Sequence, residues 1–168
     1  MSANIEEFPG TPLRQADLDE GNVLTTHWKP RLEYGWDAGV AISRYLAELK
    51  NGRIIGITCE RCRRTVVPPR VVCEWCWEPM DDWVYLQDTG TINTFSVCYI
   101  RWDASRAKTP QIPAVIEIDG ASKGAGILHL LDEVDPDDVS IGMRVQAVWK
   151  PAEERTGSIT DIKYFKPL

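Results

Sequence analysis

Two Cys-x-x-Cys pairs, Cys59-Glu-Arg-Cys62 and Cys73-Glu-Trp-Cys76, constrain this chain more than any other feature. Ten residues separate them. Two residues between ligands let one tight turn aim both thiolates at a single ion, and two such turns complete a tetrahedron. The gap is shorter than the usual spacing of about 15–20 residues but suffices for a minimal hairpin. Pro68-Pro69 between the pairs favours an extended crossing of the ribbon. Zinc is the expected metal, and iron in a rubredoxin-like S4 site is chemically possible. Four thiolates leave no open position for substrate or activated water, so the expected role is structural. The competing reading, a redox dithiol, does not account for two matched pairs. Such a centre is anionic, and Arg61, Arg63, Arg64 and Arg70 stand where they can offset its charge. The same four arginines also allow a phosphate-binding patch.

The rest of the chain divides around these knuckles. Residues 1–36 form an arm punctuated by Pro9, Pro12 and Pro30, with no sustained periodicity. Residues 37–52 read as a helix: Ile42, Tyr45, Leu46 and Leu49 recur at three- and four-residue steps, Asp37 can cap the start and Gly52 the end. Residues 53–83 form the ribbon, entered by a strand at 53–58. From residue 84 to 168 the period falls to two, with strands expected at 91–100, 114–118, 127–131, 143–149 and 159–165. Five strands with no comparable helix indicate a small closed barrel. The fold class expected is therefore mostly β, with an amino-terminal helix, a rubredoxin-like zinc ribbon and a five-stranded OB-like barrel.

Charge and composition narrow the function. The 168 residues carry a net charge of −6, and 43% are hydrophobic, as in a folded globular chain. No apolar run reaches the roughly 20 residues that span a bilayer, and the amino terminus lacks the features of a secretory signal. The cytoplasm is thus the expected location. The region from 84 onward has nine Lys/Arg against twelve Asp/Glu, a net of −3, which opposes binding a polyanion. A single-stranded nucleic-acid binder remains the alternative that a ribbon joined to an OB barrel first suggests.

Candidate catalytic groups are few. His27 lies in the arm and His129 in an apolar strand, where a hydrogen-bonded core or rim role is expected; Cys98 reads as a small buried hydrophobe. No nucleophile elbow, phosphate loop or dinucleotide fingerprint occurs. Arg101, Trp102 and Lys108, with Lys123 in a Gly-rich turn, suit a small phosphate-bearing ligand better than a polymer. Seven tryptophans accompany only three phenylalanines. Trp28, Trp36, Trp75 and Trp77 lie where little core can form around them, which marks them as candidate anchors for a protein partner.

From about Asp37 to the carboxyl end the sequence resembles the acyl-CoA-associated zinc-ribbon/OB-fold family. Val67-Pro68-Pro69-Arg70 between the knuckles and Thr89-Gly90-Thr91 after them carry the resemblance, with Pro113-Ala114 and the segment Ile159–Phe165. It implies a non-catalytic subunit of a thiolase-like complex acting on a β-ketoacyl-CoA. The larger partner would hold the nucleophile, while this chain would order the complex and help form the acyl-CoA site. Arg101, Trp102, Lys108 and Lys123 would then meet coenzyme A. Within the family, the helix, the segment Phe95–Tyr99 and the segment Lys150–Arg155 are most similar to subunits of the benzoylsuccinyl-CoA thiolase of anaerobic aromatic degradation. A stand-alone acyl-CoA-binding protein is a further alternative. The sequence departs from many relatives at the knuckles, where Glu60 and Glu74 replace proline and Arg63 and Trp77 replace glycine. The missing glycines bear on backbone geometry, because knuckle turns use left-handed conformations.

Overall fold

A computed structural model describes residues 14–23, 33–101 and 103–168, in two units, Met1–Trp36 and Asp37–Leu168. In the first unit a short helix, α1 (Gln15–Asp19), interrupts the expected extended arm. Side-chain pairs at helical spacing hold it: Arg14 donates to Asp17 and Gln15 to Asp19, each at 2.9 Å. Beyond it the rings of Tyr34 and Trp36 stack with centroids 5.4 Å apart.

The second unit opens with α2 (Gly39–Lys50), which buries Ala41, Tyr45 and Leu49 along one stripe. Its cap residue is Ala38 rather than Asp37, but the Asp37 carboxylate still accepts from the Gly39 amide at 2.9 Å. The helix stops as expected. Gly52 takes φ +71°, its N–H donates to the Leu49 carbonyl at 2.9 Å, and the Arg53 N–H donates to the Glu48 carbonyl at 3.0 Å. That pair of bonds is a Schellman motif.

The ribbon follows as a three-stranded antiparallel sheet. β1 (Ile54–Thr58) lies between β2 (Thr65–Val66) and β3 (Asp82–Leu86). β3 pairs with β1 along its length, from Thr58↔Asp82 to Ile54↔Leu86, so the ribbon sheet runs past the expected boundary at Trp83. Ile57, Cys59, Val66, Cys73 and Met80 make a small ribbon core. Trp83 packs against both this cluster and the main core, with the Arg44 guanidinium 4.3 Å above its ring.

The remaining strands are β4 (Thr89–Phe95), β5 (Cys98–Ile100), β6 (Arg106–Ile118), β7 (Gly126–Leu131), β8 (Arg144–Trp149) and β9 (Ile162–Pro167). β4, β8, β9, β7 and β6 pair in that order, and β4–β6 pairing closes the ring into the expected five-stranded barrel. β7 and β9 meet in parallel, and the other pairs are antiparallel. Ile92, Ile112, Ala114, Ile116, Ile127, Val145 and Phe165 fill the barrel, and Tyr45 and Leu49 of α2 belong to the same core.

Three strand expectations need correction. The segment 91–100 is not one strand: it breaks after Phe95, and β5 folds onto β6 as a bulged hairpin instead. Consequently Tyr99 is exposed and Cys98 is half-buried. β6 begins at Arg106 rather than Ala114, and it contains Pro110 and Pro113. Pro110 is tolerated because it lies in the bulged part of the ladder to β5, whereas Pro113, paired with Leu130 of β7, lends its carbonyl to the Ser96 N–H at 3.0 Å. Finally, Ile159–Asp161 is a 3-10 turn, and β9 starts only at Ile162.

The Thr89-Gly90-Thr91 motif has a steric basis. A Cβ at Gly90 would lie 2.4 Å from the Glu117 carbonyl oxygen of the adjacent strand. The flanking hydroxyls meet a surface ion pair: Thr89 donates to Asp119, and Arg144, bidentate on Asp119, also donates to Thr91 at 3.0 Å. Arg144 thereby holds the Asp119 carboxyl below its ordinary range.

Candidate metal centre and its surroundings

The two knuckles adopt one geometry twice. The Cys59 N–H donates to the Arg64 carbonyl (2.9 Å) and the Arg63 N–H to the Cys59 carbonyl (2.8 Å). Fourteen positions on, Cys73 N–H donates to Glu78 and Trp77 N–H to Cys73, both at 2.9 Å. Each turn closes only if the residue after its second cysteine is left-handed, and Arg63 (φ +59°) and Trp77 (φ +58°) comply. A residue with a Cβ costs about 1–2 kcal/mol in that conformation. The departure from glycine therefore leaves the turn unchanged and moves its cost onto the backbone of Arg63 and Trp77.

The four sulfur atoms converge as a metal requires. All lie within 4.8 Å of one another, with Cys59–Cys76 at 3.5 Å, Cys62–Cys73 at 3.6 Å and Cys73–Cys76 at 3.4 Å. A tetrahedral Zn–S bond of about 2.3 Å implies sulfur separations of about 3.8 Å, so the donor set fits. Cys59 and Cys73 are buried, and Cys62 and Cys76 half-buried. The backbone N–H groups of Trp75 and Cys76 draw the Cys73 thiol down to about 6, while burial and the neighbouring sulfurs push the Cys76 thiol up to about 12, a mutual repulsion that a bound cation would relieve.

The arginines are placed differently from expectation. Arg64 and Arg70 both pair with Glu74, and Arg61 pairs with Glu78 at 2.8 Å. Glutamates of the second knuckle thus hold three of the four cations, which reduces what they offer to the metal or to a phosphate. Arg64 also lies 4.3 Å above the Trp75 ring. Sequence spacing does not show this pairing, because only the folded hairpin brings Glu74 and Glu78 opposite Arg64 and Arg61.

Trp75 and Trp77 remain 69% and 79% exposed, beside exposed Val71 and Val72. Trp36, in the first unit, is 83% exposed. Trp28, Trp102 and His27 lie outside the described residues. Arg101 and Lys108 sit together on the β5–β6 hairpin, both exposed. Lys123 does not join them. It lies in the turn after β6, beyond the opposite end of a strand whose eleven residues from Lys108 to Ile118 span roughly 30 Å. His129 points into the barrel wall, with Nε2 3.2 Å from the Ile159 carbonyl and its ring 5.7 Å from Phe165, the satisfied rim position anticipated for it.

Two family models match this architecture. The ChsH2 rubredoxin-like zinc ribbon domain covers residues 46–81, and the ChsH2 C-terminal OB-fold domain covers 83–150. A DUF35 domain-containing scaffold protein of Methanocaldococcus jannaschii is 30% identical over 118 residues, spanning 68% of this chain and 82% of that one. The chain belongs to the DUF35 family. Another DUF35 domain-containing scaffold protein, from Methanothermobacter thermautotrophicus, is 26% identical over 68% of this chain and 86% of its own. Among solved structures, a DUF35 protein of unknown function from Sulfolobus solfataricus superposes with a TM-score of 0.57 at 24% identity, covering 66% of this chain and 78% of that one. The Ltp2-ChsH2(DUF35) aldolase gives 0.55 at 19% identity, covering 83% and 98%. At these identities the two structures establish the shared fold. Among the described residues no helix is long and apolar enough to cross a membrane.

Proposed function

We propose that this DUF35 chain is a non-catalytic scaffold subunit that docks on a thiolase-like enzyme acting on a β-ketoacyl-CoA. The observation that carries the reading is the second knuckle. With the first knuckle it completes a closed S4 set with no coordination position left for chemistry, yet it presents two largely exposed tryptophans on a rigid turn. A closed metal site supplies stiffness, and exposed aromatic anchors on a stiff support are what a protein interface uses. The scaffold name of the archaeal relatives and the two-component aldolase of similar fold support a partner enzyme. Cys59, Cys62, Cys73 and Cys76 would hold the metal, zinc in this reading, with thiolates supplied by all four. Arg101 and Lys108 on the hairpin would meet coenzyme A phosphates. The acyl group proposed is benzoylsuccinyl, on the resemblance of the helix and of residues 150–155.

Coexpression with a thiolase-like chain tests this. The two should copurify, and β-ketoacyl-CoA thiolysis should require both. Trp77→Ala should weaken the complex at least tenfold with the metal retained. Turnover by this chain alone, or salt-sensitive binding to single-stranded nucleic acid in place of the complex, would overturn the reading.

A further inference from the structure

The barrel wall formed by β6 and β7 is apolar on its outward side. The register pairs Val115 with Leu128 and Pro113 with Leu130, and opposite residues of an antiparallel pair share a face. Leu128 is 67% and Leu130 39% exposed, while Val115 and Pro113 are half-buried. Burial alternates along both strands, so Ile112, Ala114, Ile116, Ile127 and Leu131 point inward and these four point out.

Opposite charges flank one end of this wall. On the β6 side the β5–β6 hairpin carries Arg101, Arg106 and Lys108 against Asp103. On the β7 side the chain leaves Leu131 into Asp132, Glu133, Asp135, Asp137 and Asp138. Glu133 is taken by Lys166, and among the described residues the other four carboxylates and Arg106 have no ion-pair partner. Thus an apolar surface has a cationic left margin and, at the same level, a right margin where five carboxylates outnumber the β9 cations Lys163 and Lys166.

We propose that this wall is the interface of a symmetric dimer of the chain. A two-fold axis running parallel to β6 and β7, between them, exchanges left and right without changing the level along the strands. Leu128 of one copy then faces Val115 of the other, and Leu130 faces Pro113. The same rotation carries the basic hairpin onto the acidic loop of the second copy, and the reverse contact forms by symmetry. Such an interface is self-complementary, with an apolar centre and a charged rim. The proposal stands independently of the partner enzyme.

Sedimentation equilibrium of the full metal-loaded chain tests it. The expected mass is twice the 19.0 kDa of one chain. Leu128→Glu should weaken association at least tenfold, with metal content and β-sheet circular dichroism unchanged. Arg106→Glu should weaken it too, and adding Asp137→Arg should restore it, because each reversal then meets its opposite across the axis. Arg106 is chosen because the coenzyme A reading uses Arg101 and Lys108, so failure of one proposal is distinguishable from failure of the other. A monomer persisting to about 100 μM, where even weak specific association is visible, would overturn the dimer. So would a dimer indifferent to both Leu128→Glu and Leu130→Glu. A monomer whose Leu128 becomes protected only when the enzyme is added would assign the wall to that enzyme instead.

Discussion

The ribbon and the barrel solve the same problem with different means. The barrel closes on itself and encloses a continuous core with Phe165, Ile116, Ile162 and Val145 fully buried. The ribbon has a two-residue edge strand, two turns with left-handed side-chain-bearing residues and a core of five residues, two of them metal ligands. A segment that small cannot bury enough surface to hold its own shape. Its stability resides in four sulfur–metal bonds, whereas that of the barrel resides in apolar burial. The two should therefore fail separately.

The largest expected effect follows directly. Cys59→Ser, or removal of the metal by a chelator, should unfold the knuckles, since metal binding and folding are one free energy in such modules, of order 10 kcal/mol. Metal analysis should report loss of the ion, and the fluorescence of Trp75 and Trp77 should shift, while barrel amides stay protected from hydrogen exchange. Simultaneous loss of barrel protection would show that the two regions are one cooperative unit. The converse is Phe165→Ala, which should cost about 3–5 kcal/mol in the barrel core. Here the thermal midpoint should fall with the metal still bound at 25 °C.

Next in size is a buried carboxylate that ties the barrel to α2. Asp161 is fully buried and accepts from the N–H groups of Thr156, Gly157 and Ser158 at 3.0, 2.7 and 3.1 Å. Burial works to raise its pKa, but the three backbone donors together bring it below the ordinary 3.8. The resulting loop carries Arg155, whose guanidinium lies 5.5 Å from Trp149 and against Gly52 at the end of α2. Asp161→Ala leaves three buried donors unpaired and should cost about 2–4 kcal/mol. Because the folded pKa is depressed, the stabilisation is present above about pH 4 and disappears as pH falls through the folded value. Asp119, held down by Arg144, contributes with the same sign. Urea midpoints measured between pH 7 and pH 3 should decline on the acid side, and Asp161→Asn should flatten that decline.

How far the two regions were legible in sequence follows from the same contrast. Metal ligation needs particular residue types at particular spacing, so Cys59, Cys62, Cys73 and Cys76 could be read directly. The barrel's existence was legible from its period of two, and α2 from its stripe and from Gly52. The strand limits were not. Pro110 and Pro113 are ordinarily strand breakers, and only pairing makes them strand residues: Pro110 lies in the bulged part of the β5–β6 hairpin, and Pro113 pairs with Leu130 of β7. The outward Leu128 and Leu130 were also hidden, because alternation in a run such as Ile127–Leu131 is masked when both faces are apolar. The ion pairs of the ribbon were invisible for a related reason: Arg64 and Glu74 are ten residues apart and meet only across the folded hairpin.

The smallest effect is the most discriminating, because stability and binding should move in opposite directions. Trp77 holds φ +58° while 79% of it faces solvent, so its side chain adds little packing to offset the left-handed backbone. Trp77→Gly removes the Cβ clash, worth about 1–2 kcal/mol, and loses part of it to chain entropy, leaving a net gain of about 0.5–1 kcal/mol. Chelator competition should show the metal held slightly more tightly, and Cys73 should keep its backbone bond to residue 77. If Trp77 is an anchor for the enzyme, the same variant should bind that enzyme at least tenfold more weakly. A variant that gains stability and keeps full affinity would remove Trp77 from the interface and turn the test to its exposed neighbour Trp75.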